Sequence, residues 1–236
     1  MTLRLYTQRL NPFAQKVAIA LDIKKLPYEW VVSDTPEDIK RWSPVTGELP
    51  VLEDGAKRIA DSTAILQHLD ERYPVPPLRS RDPKVAAAQD QLMEWADASL
   101  LFYWDRWRAA RFPRPGDDHP ANPSLLRKLQ RRIERSFGSA DVDPTPLQLR
   151  ELEVLEELAH RMDDLVGMLG QRHYFHANEP SVADASVFGM LRIIRDGPMM
   201  SGNAMIIRRP ALAKYVDRME AICPRPTAAT SRSLGE

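Results

Sequence analysis

The 236-residue chain has one cysteine, Cys223. That excludes an internal disulfide and any Cys-x-x-Cys redox or zinc pair. It also lacks net charge: 33 basic residues balance 33 acidic ones, so no global field draws it to nucleic acid or to an anionic membrane. No apolar run approaches the length needed to span a bilayer. The opening residues Met1 to Tyr6 alternate apolar and polar and have no signal-peptide core, so the cytoplasm is the expected compartment. No internal repeat is present. Between Lys84 and Phe112 glycine and proline are absent as well, which leaves nothing to interrupt a long helix. What remains is the composition of a soluble globular protein, 43% hydrophobic and 28% charged. The length suits one large domain or two modest ones.

Leu3, Leu5 and Thr7 alternate with Arg4 and Tyr6 as a strand requires. Asn11-Pro12 then reads as an N-cap with a first-turn proline, and Phe13, Val17, Ala20 and Leu21 mark a helix. Tyr28 to Val32 is rich in aromatic and β-branched residues and predicts a second strand, parallel to the first across the helix. Thr35-Pro36 with Asp38 opens a short helical turn that stops before Ser43-Pro44. Leu49-Pro50-Val51-Leu52 is a third strand. Asp54-Gly55 is a hairpin turn, and Arg58-Ile59-Ala60 is the returning strand. Asp61-Ser62 stands where an N-cap belongs, ahead of the buried stripe Ile65, Leu66 and Leu69.

Pro74, Pro76 and Pro77 break this pattern and divide residues 1–76 from an all-helical part at 83–223. Val85, Leu92, Trp95, Ser99, Phe102 and Arg106 trace one helix face. A proline-rich loop from Pro113 to Pro123 follows, then helices over Leu125–Phe137 and Leu147–Leu169, the latter ended by Gly170. Ser181 and Asp184 form a capping-box-like start to a helix reaching about Arg195, and Pro210 opens a last helix through Ile222. Residues 224–236 are small, polar and expected to be disordered. The fold class is therefore α/β plus all-α.

A returning strand that runs into a capped helix gathers free backbone N–H groups and a positive dipole end at Asp61-Ser62, a place that suits a carboxylate. The same two residues would serve equally as a cap alone. Three motifs together resemble cytosolic glutathione transferases: Leu49-Pro50-Val51-Leu52 with Asp61-Ser62, the run Asn11 to Val17, and Asn178 to Gly189 with Pro180, Ser181, Asp184 and Phe188. The resemblance spans about residues 3 to 222. It implies a thioredoxin-like βαβαββα domain before the helical one, and a cis bond at Pro50. Leu49 would then pair its backbone with the cysteinyl part of glutathione, while Asp61 and Ser62 hold the γ-glutamyl end. The implied activity is conjugation of reduced glutathione, as co-substrate, to a small hydrophobic electrophile, with no tightly bound cofactor and no metal. A homodimer is implied too, with no nucleic acid or membrane partner. Two alternatives share the fold: a non-catalytic binding or interaction protein, and a glutathione-dependent isomerase or lyase.

Two residues depart from the family pattern. Asn11 stands where the family places a catalytic Ser or Cys before Pro-Phe. Its carboxamide N–H could donate to a thiolate, a charged hydrogen bond worth roughly 1.5–3 kcal/mol, and the helix N-terminus would add to that. Asparagine is equally a preferred N-cap whether or not anything binds. It cannot form a disulfide, so with Ala14 in place of a second cysteine glutaredoxin-like chemistry is not expected. Tyr6 aligns roughly with the tyrosine of tyrosine-type transferases and is a second candidate donor. Glu48 replaces a common Lys near the glycine carboxylate of glutathione and would repel it unless Lys40, Arg41 or another base compensates.

Of the aromatics Phe102, Tyr103, Trp104 and Trp107, the resemblance points to Tyr103 and Trp107 as walls of an electrophile pocket. Packing between helices or across a dimer would use them equally well. Arg127, Lys128, Arg131, Arg132 and Arg135 read as a solvated basic face. His173 and His176 lie in a loop without acidic or cysteine partners, so no metal is expected there.

Overall fold

The computed structural model describes residues 2–112, 145–199 and 201–225. The helix expected over Leu125–Phe137, the basic face at Arg127–Arg135, the loop from Pro113 and the tail after Arg225 lie outside the described residues.

Strands β1(Leu3–Thr7), β2(Tyr28–Val32), β3(Val51–Asp54) and β4(Lys57–Ala60) form one sheet in the order β2-β1-β3-β4. β1 and β2 are parallel, and β3 runs antiparallel to both β1 and β4. The parallel pair follows from the crossover helix α1(Pro12–Ile23). The sheet is sided by strand alternation. Leu5 and Leu52, which are register partners, face the main core with α1 and α3(Ser62–Arg72). Tyr6 and Val51 point the other way, where Trp42 at the end of α2(Pro36–Trp42) closes a separate small cluster.

The second domain is helical: α4(Pro83–Trp95), a π-helical turn at Ala96–Leu100, α5(Leu101–Arg111), α6(Pro146–Leu169), α7(Val182–Asp196), α8(Gly202–Ile207) and α9(Pro210–Ile222). The molecule is thus a thioredoxin-like domain followed by an all-helical one. One continuous core runs through both. Helix α7 is buried along nearly its whole length, and its Gly189 lets it approach α1. A Cβ at Gly189 would stand 3.0 Å from the Lys16 backbone nitrogen and 3.4 Å from the Pro12 carbonyl oxygen. Only a residue without a side chain permits that approach. The connecting segment is tied at both ends. Lys24 Nζ donates to the carbonyls of Tyr73 and Pro76, and the Leu78 carbonyl accepts from Val182 N–H at the start of α7. Asp184 anchors the loop before α7 by accepting from Phe175 and Ser181. Burial lifts its carboxyl to about 6 despite those donors.

The single helix expected over Lys84–Phe112 is corrected by the π-helical turn. In such a turn each bond skips one residue more than in an α-helix, so the downstream face rotates by one position. The buried residues are Gln89, Leu92, Met93, Ala96, Leu100, Trp104 and Trp107. Phe102 and Arg106, which share the helix face traced in the sequence with Leu92, are exposed. The turn sits where Asp97 meets α1 and α7. Its carboxylate takes Lys16 Nζ at 2.6 Å and the Ser186 hydroxyl at 3.1 Å. Lys16 is itself only 2% exposed.

Candidate functional site

Asn11 is placed by three local features. Leu10 turns the chain with φ 54°, Asn11 itself is extended, and Pro12 begins the helix. The side chain then does two things. Its Oδ1 accepts from Ala14 N–H at 3.0 Å, which caps α1, and its Nδ2 donates to the Leu49 carbonyl at 3.1 Å. A carboxamide nitrogen carries two N–H groups, so one remains. The Leu49–Pro50 bond is cis. The structure therefore brings Asn11, Leu49 and Pro50 to one place, at the N-terminus of a twelve-residue helix.

Asp61 and Ser62 stand one strand away, at the start of α3. Asp61 accepts from Ala64 N–H at 2.9 Å and is an N-cap in geometry. Its backbone, at φ 72° and ψ 125°, is unusual for a residue with a Cβ. A conformation of this kind costs on the order of 1–3 kcal/mol and concentrates at functional sites. Asp61 is exposed and Ser62 is buried. Glu48 is also exposed, just before Leu49. Of the nearby bases that could offset its charge, Arg41 is engaged by Asp38.

A cleft of about 920 Å³ opens between the two domains. Asn11, Pro12 and Phe13 line it from α1, and Leu101, Trp104 and Arg108 from α5. Tyr103 and Trp107 do not line it. Trp107 is buried, stacks on Trp104 at 5.2 Å, and donates from Nε1 to Glu151 at 3.0 Å. Tyr103 is half-buried between Phe102 and the Arg161 guanidinium. Two of the cleft-lining residues, Trp104 and Arg108, stand one position after the residues singled out in the sequence, Tyr103 and Trp107. The wall was detectable only as the spacing Leu101, Trp104, Arg108, Phe112, which is ordinary helical periodicity once its phase is known.

Tyr6 is not placed to meet a ligand at Asn11. It lies on the opposite face of the sheet, packed on Trp42 at 5.0 Å, and donates to Glu53 Oε2 at 3.3 Å. Burial and the neighbouring Glu53 carboxylate hold its hydroxyl above the usual phenol range. Among the described residues no three of His, Cys, Asp or Glu gather as a metal site would require. None of their helices is long and apolar enough to cross a membrane.

Comparison with known proteins agrees with this geometry. The glutathione S-transferase N-terminal domain family matches residues 5–77, and the glutathione S-transferase C-terminal domain family matches residues 158–219. Pyrimidodiazepine synthase of Drosophila melanogaster is 40% identical over 98 residues, covering 39% of this chain and 40% of that protein. Glutathione S-transferase Z1 of Arabidopsis thaliana is 39% identical over 97 residues, covering 39% and 43%. The chain thus spans about two-fifths of the length of these curated relatives. Among solved structures, a glutathione S-transferase from Rhodospirillum rubrum F11 superposes over 95% of this chain and 89% of its own, with a TM-score of 0.66 at 22% identity. That likeness concerns the fold. The two domain families fall on the two halves of the molecule and cover more than half of the chain between them. The chain belongs to the glutathione S-transferase superfamily.

Proposed function

We propose that the protein is a glutathione-dependent transferase that joins reduced glutathione to a small hydrophobic electrophile. The observation that carries this reading is the position of Asn11. It caps α1 at the floor of the interdomain cleft, is bonded to the Leu49 carbonyl beside cis-Pro50, and keeps one Nδ2–H for a ligand. A thiol over this helix end would meet that N–H and the positive end of the helix dipole, both of which favour the thiolate. The sulfur then attacks the electrophilic carbon. The C–S bond forms as the carbon–leaving-group bond breaks, or as a proton is taken up by the neighbouring carbon of an activated alkene. In this reading Leu49 pairs with the cysteinyl backbone, Asp61 and Ser62 hold the γ-glutamyl end, and Phe13, Leu101 and Trp104 receive the electrophile. A cytoplasmic homodimer is the form we assign.

The second reading is a glutathione-dependent isomerase or lyase with the same thiolate and a different electrophile. Asn11 in place of Ser or Cys, together with exposed Glu48, favours the non-catalytic binding protein in its turn.

Calorimetric titration with reduced glutathione at neutral pH, followed by an electrophile screen, separates these. Saturable binding of one glutathione per subunit with turnover of an aryl halide or activated alkene supports the transferase. Binding with isomerisation but no conjugate supports the second reading. Binding without turnover favours the binding protein, and no binding at millimolar glutathione rejects all the glutathione readings.

A further inference from the structure

A second cavity, of about 210 Å³, adjoins the main cleft at Leu10, which lines both. Gln15 of α1, Trp30 of β2, and Arg192 and Ile193 of α7 form its walls, with Asp196 and Arg225. Arg192 is the unusual member. It is only 4% exposed, and its bonding partners among the described residues are neutral. Nη1 donates to Gln15 Oε1 at 3.3 Å, Nη2 donates to the Cys223 carbonyl, and the guanidinium lies 4.6 Å from the Phe188 ring centre. Its Nε has no partner. A guanidinium offers five N–H donors in a planar fork, and a buried charge without an opposite one is costly.

The nearest acids do not answer that charge. Asp22 and Glu220 act on Arg192 through space but make no ion pair with it; Glu220 pairs with Arg195, and one buried oxygen of Asp22 is unpartnered. Burial lifts the Asp22 carboxyl to about 7, so near neutrality it is only partly ionised. Asp196 is shared between Arg195 and Arg225. Counting the charges that line the cavity, Arg192 and Arg225 stand against Asp196, which leaves one positive charge for an occupant to neutralise. The uncharged walls are Gln15 and Gly197 together with the apolar side chains of Leu10, Trp30 and Ile193.

We propose that this cavity binds a small organic monocarboxylate, its carboxylate on Arg192 and its apolar body against Trp30 and Ile193. The planar fork of a single guanidinium matches a carboxylate, and one net positive charge matches a monoanion. The proposal does not rest on the glutathione reading. Because Leu10 lines both cavities and directly precedes Asn11, an occupant would touch the residue that sets the entry into α1.

The test is calorimetric titration of the whole protein with benzoate, with inorganic phosphate as a second probe. Saturable one-to-one benzoate binding is expected, unaffected by glutathione. Arg225→Gln, at the exposed rim, should weaken it at least threefold. Arg192→Lys, which keeps the charge and loses the fork, should weaken it about tenfold. Thermal unfolding identifies a variant that has lost its fold, and Arg225→Gln then carries the test alone. Benzoate binding weaker than about 10 mM, binding indifferent to these variants, or displacement by glutathione would overturn the proposal. Phosphate binding as tightly as benzoate, with the same sensitivity to the variants, would overturn the carboxylate assignment.

Discussion

Asn11 Nδ2 and the Leu49 carbonyl oxygen are 3.1 Å apart, and this bond ties the start of α1 to the segment that enters β3. The residue at the floor of the cleft thereby fixes the backbone proposed to read the cysteinyl part of glutathione. Capping and ligand recognition share one side chain, and a mutation there is read out in both.

Asn11→Ala should remove the cap, at a cost of about 1 kcal/mol, and raise the pKa of a bound glutathione thiol by roughly one to two units. Asn11→Ser keeps both a cap and a donor and should stay close to the parent. The thiolate absorbance of the glutathione complex, titrated against pH, measures the second effect. A titration that does not move in Asn11→Ala would leave the residue with its capping role alone.

Asp61 allows strain and recognition to be separated. Asp61→Gly removes the side chain but suits φ 72°, and glycine is a nearly adequate N-cap. Its stability should stay within about 0.5 kcal/mol of the parent. Asp61→Ala loses the cap and keeps the strain, and should cost about 1–2 kcal/mol. Both should weaken glutathione binding several-fold. Urea unfolding beside calorimetry decides this; unchanged affinity in both variants would confine Asp61 to capping.

Glu48 is exposed beside the same site. Glu48→Lys exchanges repulsion for attraction at the glycine carboxylate and should tighten glutathione roughly two- to fivefold at low ionic strength, less in high salt. An affinity that ignores both the substitution and the salt would place that carboxylate elsewhere.

Asp22 should make stability depend on pH. Burial raises its carboxyl from 3.8 to about 7 in the folded chain. The native state therefore holds this proton more tightly than the unfolded state. The favourable contribution is complete below about 4 and is lost as pH rises through 7. Asp22→Asn mimics the protonated form, so its Tm should exceed that of the parent by an amount that grows between pH 5 and pH 8. The gain at pH 8 should be roughly 1–3 kcal/mol after allowance for solvent screening. A gap that stays constant across this range would show that Asp22 ionises normally.

Lys16 is nearly inaccessible, and its partner Asp97 also holds Ser186. Lys16→Met strands the Asp97 carboxylate between the domains and should cost roughly 2–4 kcal/mol, most of it recovered by pairing with Asp97→Leu. Chemical denaturation of the single and double variants measures this coupling. A double variant no more stable than Lys16→Met would rule out the stranded charge as the cause.

Most of the fold was legible from local chemistry. The Asn11-Pro12, Thr35-Pro36 and Ser181–Asp184 caps, the Asp54-Gly55 turn and the period-two strands act through neighbours a few residues away, so their pattern is written along the chain. The element order of the first domain, the parallel β1–β2 pair and the start and end of α6 follow from that pattern, whereas α8 was not expected from it. The Leu49-Pro50 and Asp61-Ser62 motifs likewise marked two points that the structure sets at the entry to β3 and the start of α3. What only tertiary structure decided was phase and partnership. The π-helical turn at Ala96–Leu100 forms where Asp97 is held by Lys16 and Ser186, residues 81 and 89 positions away in sequence. The cleft wall carries Trp104 and Arg108 rather than Tyr103 and Trp107. The face chosen by Tyr6 and the burial of Arg192 were settled in the same way, by contacts between segments that no local window of sequence contains.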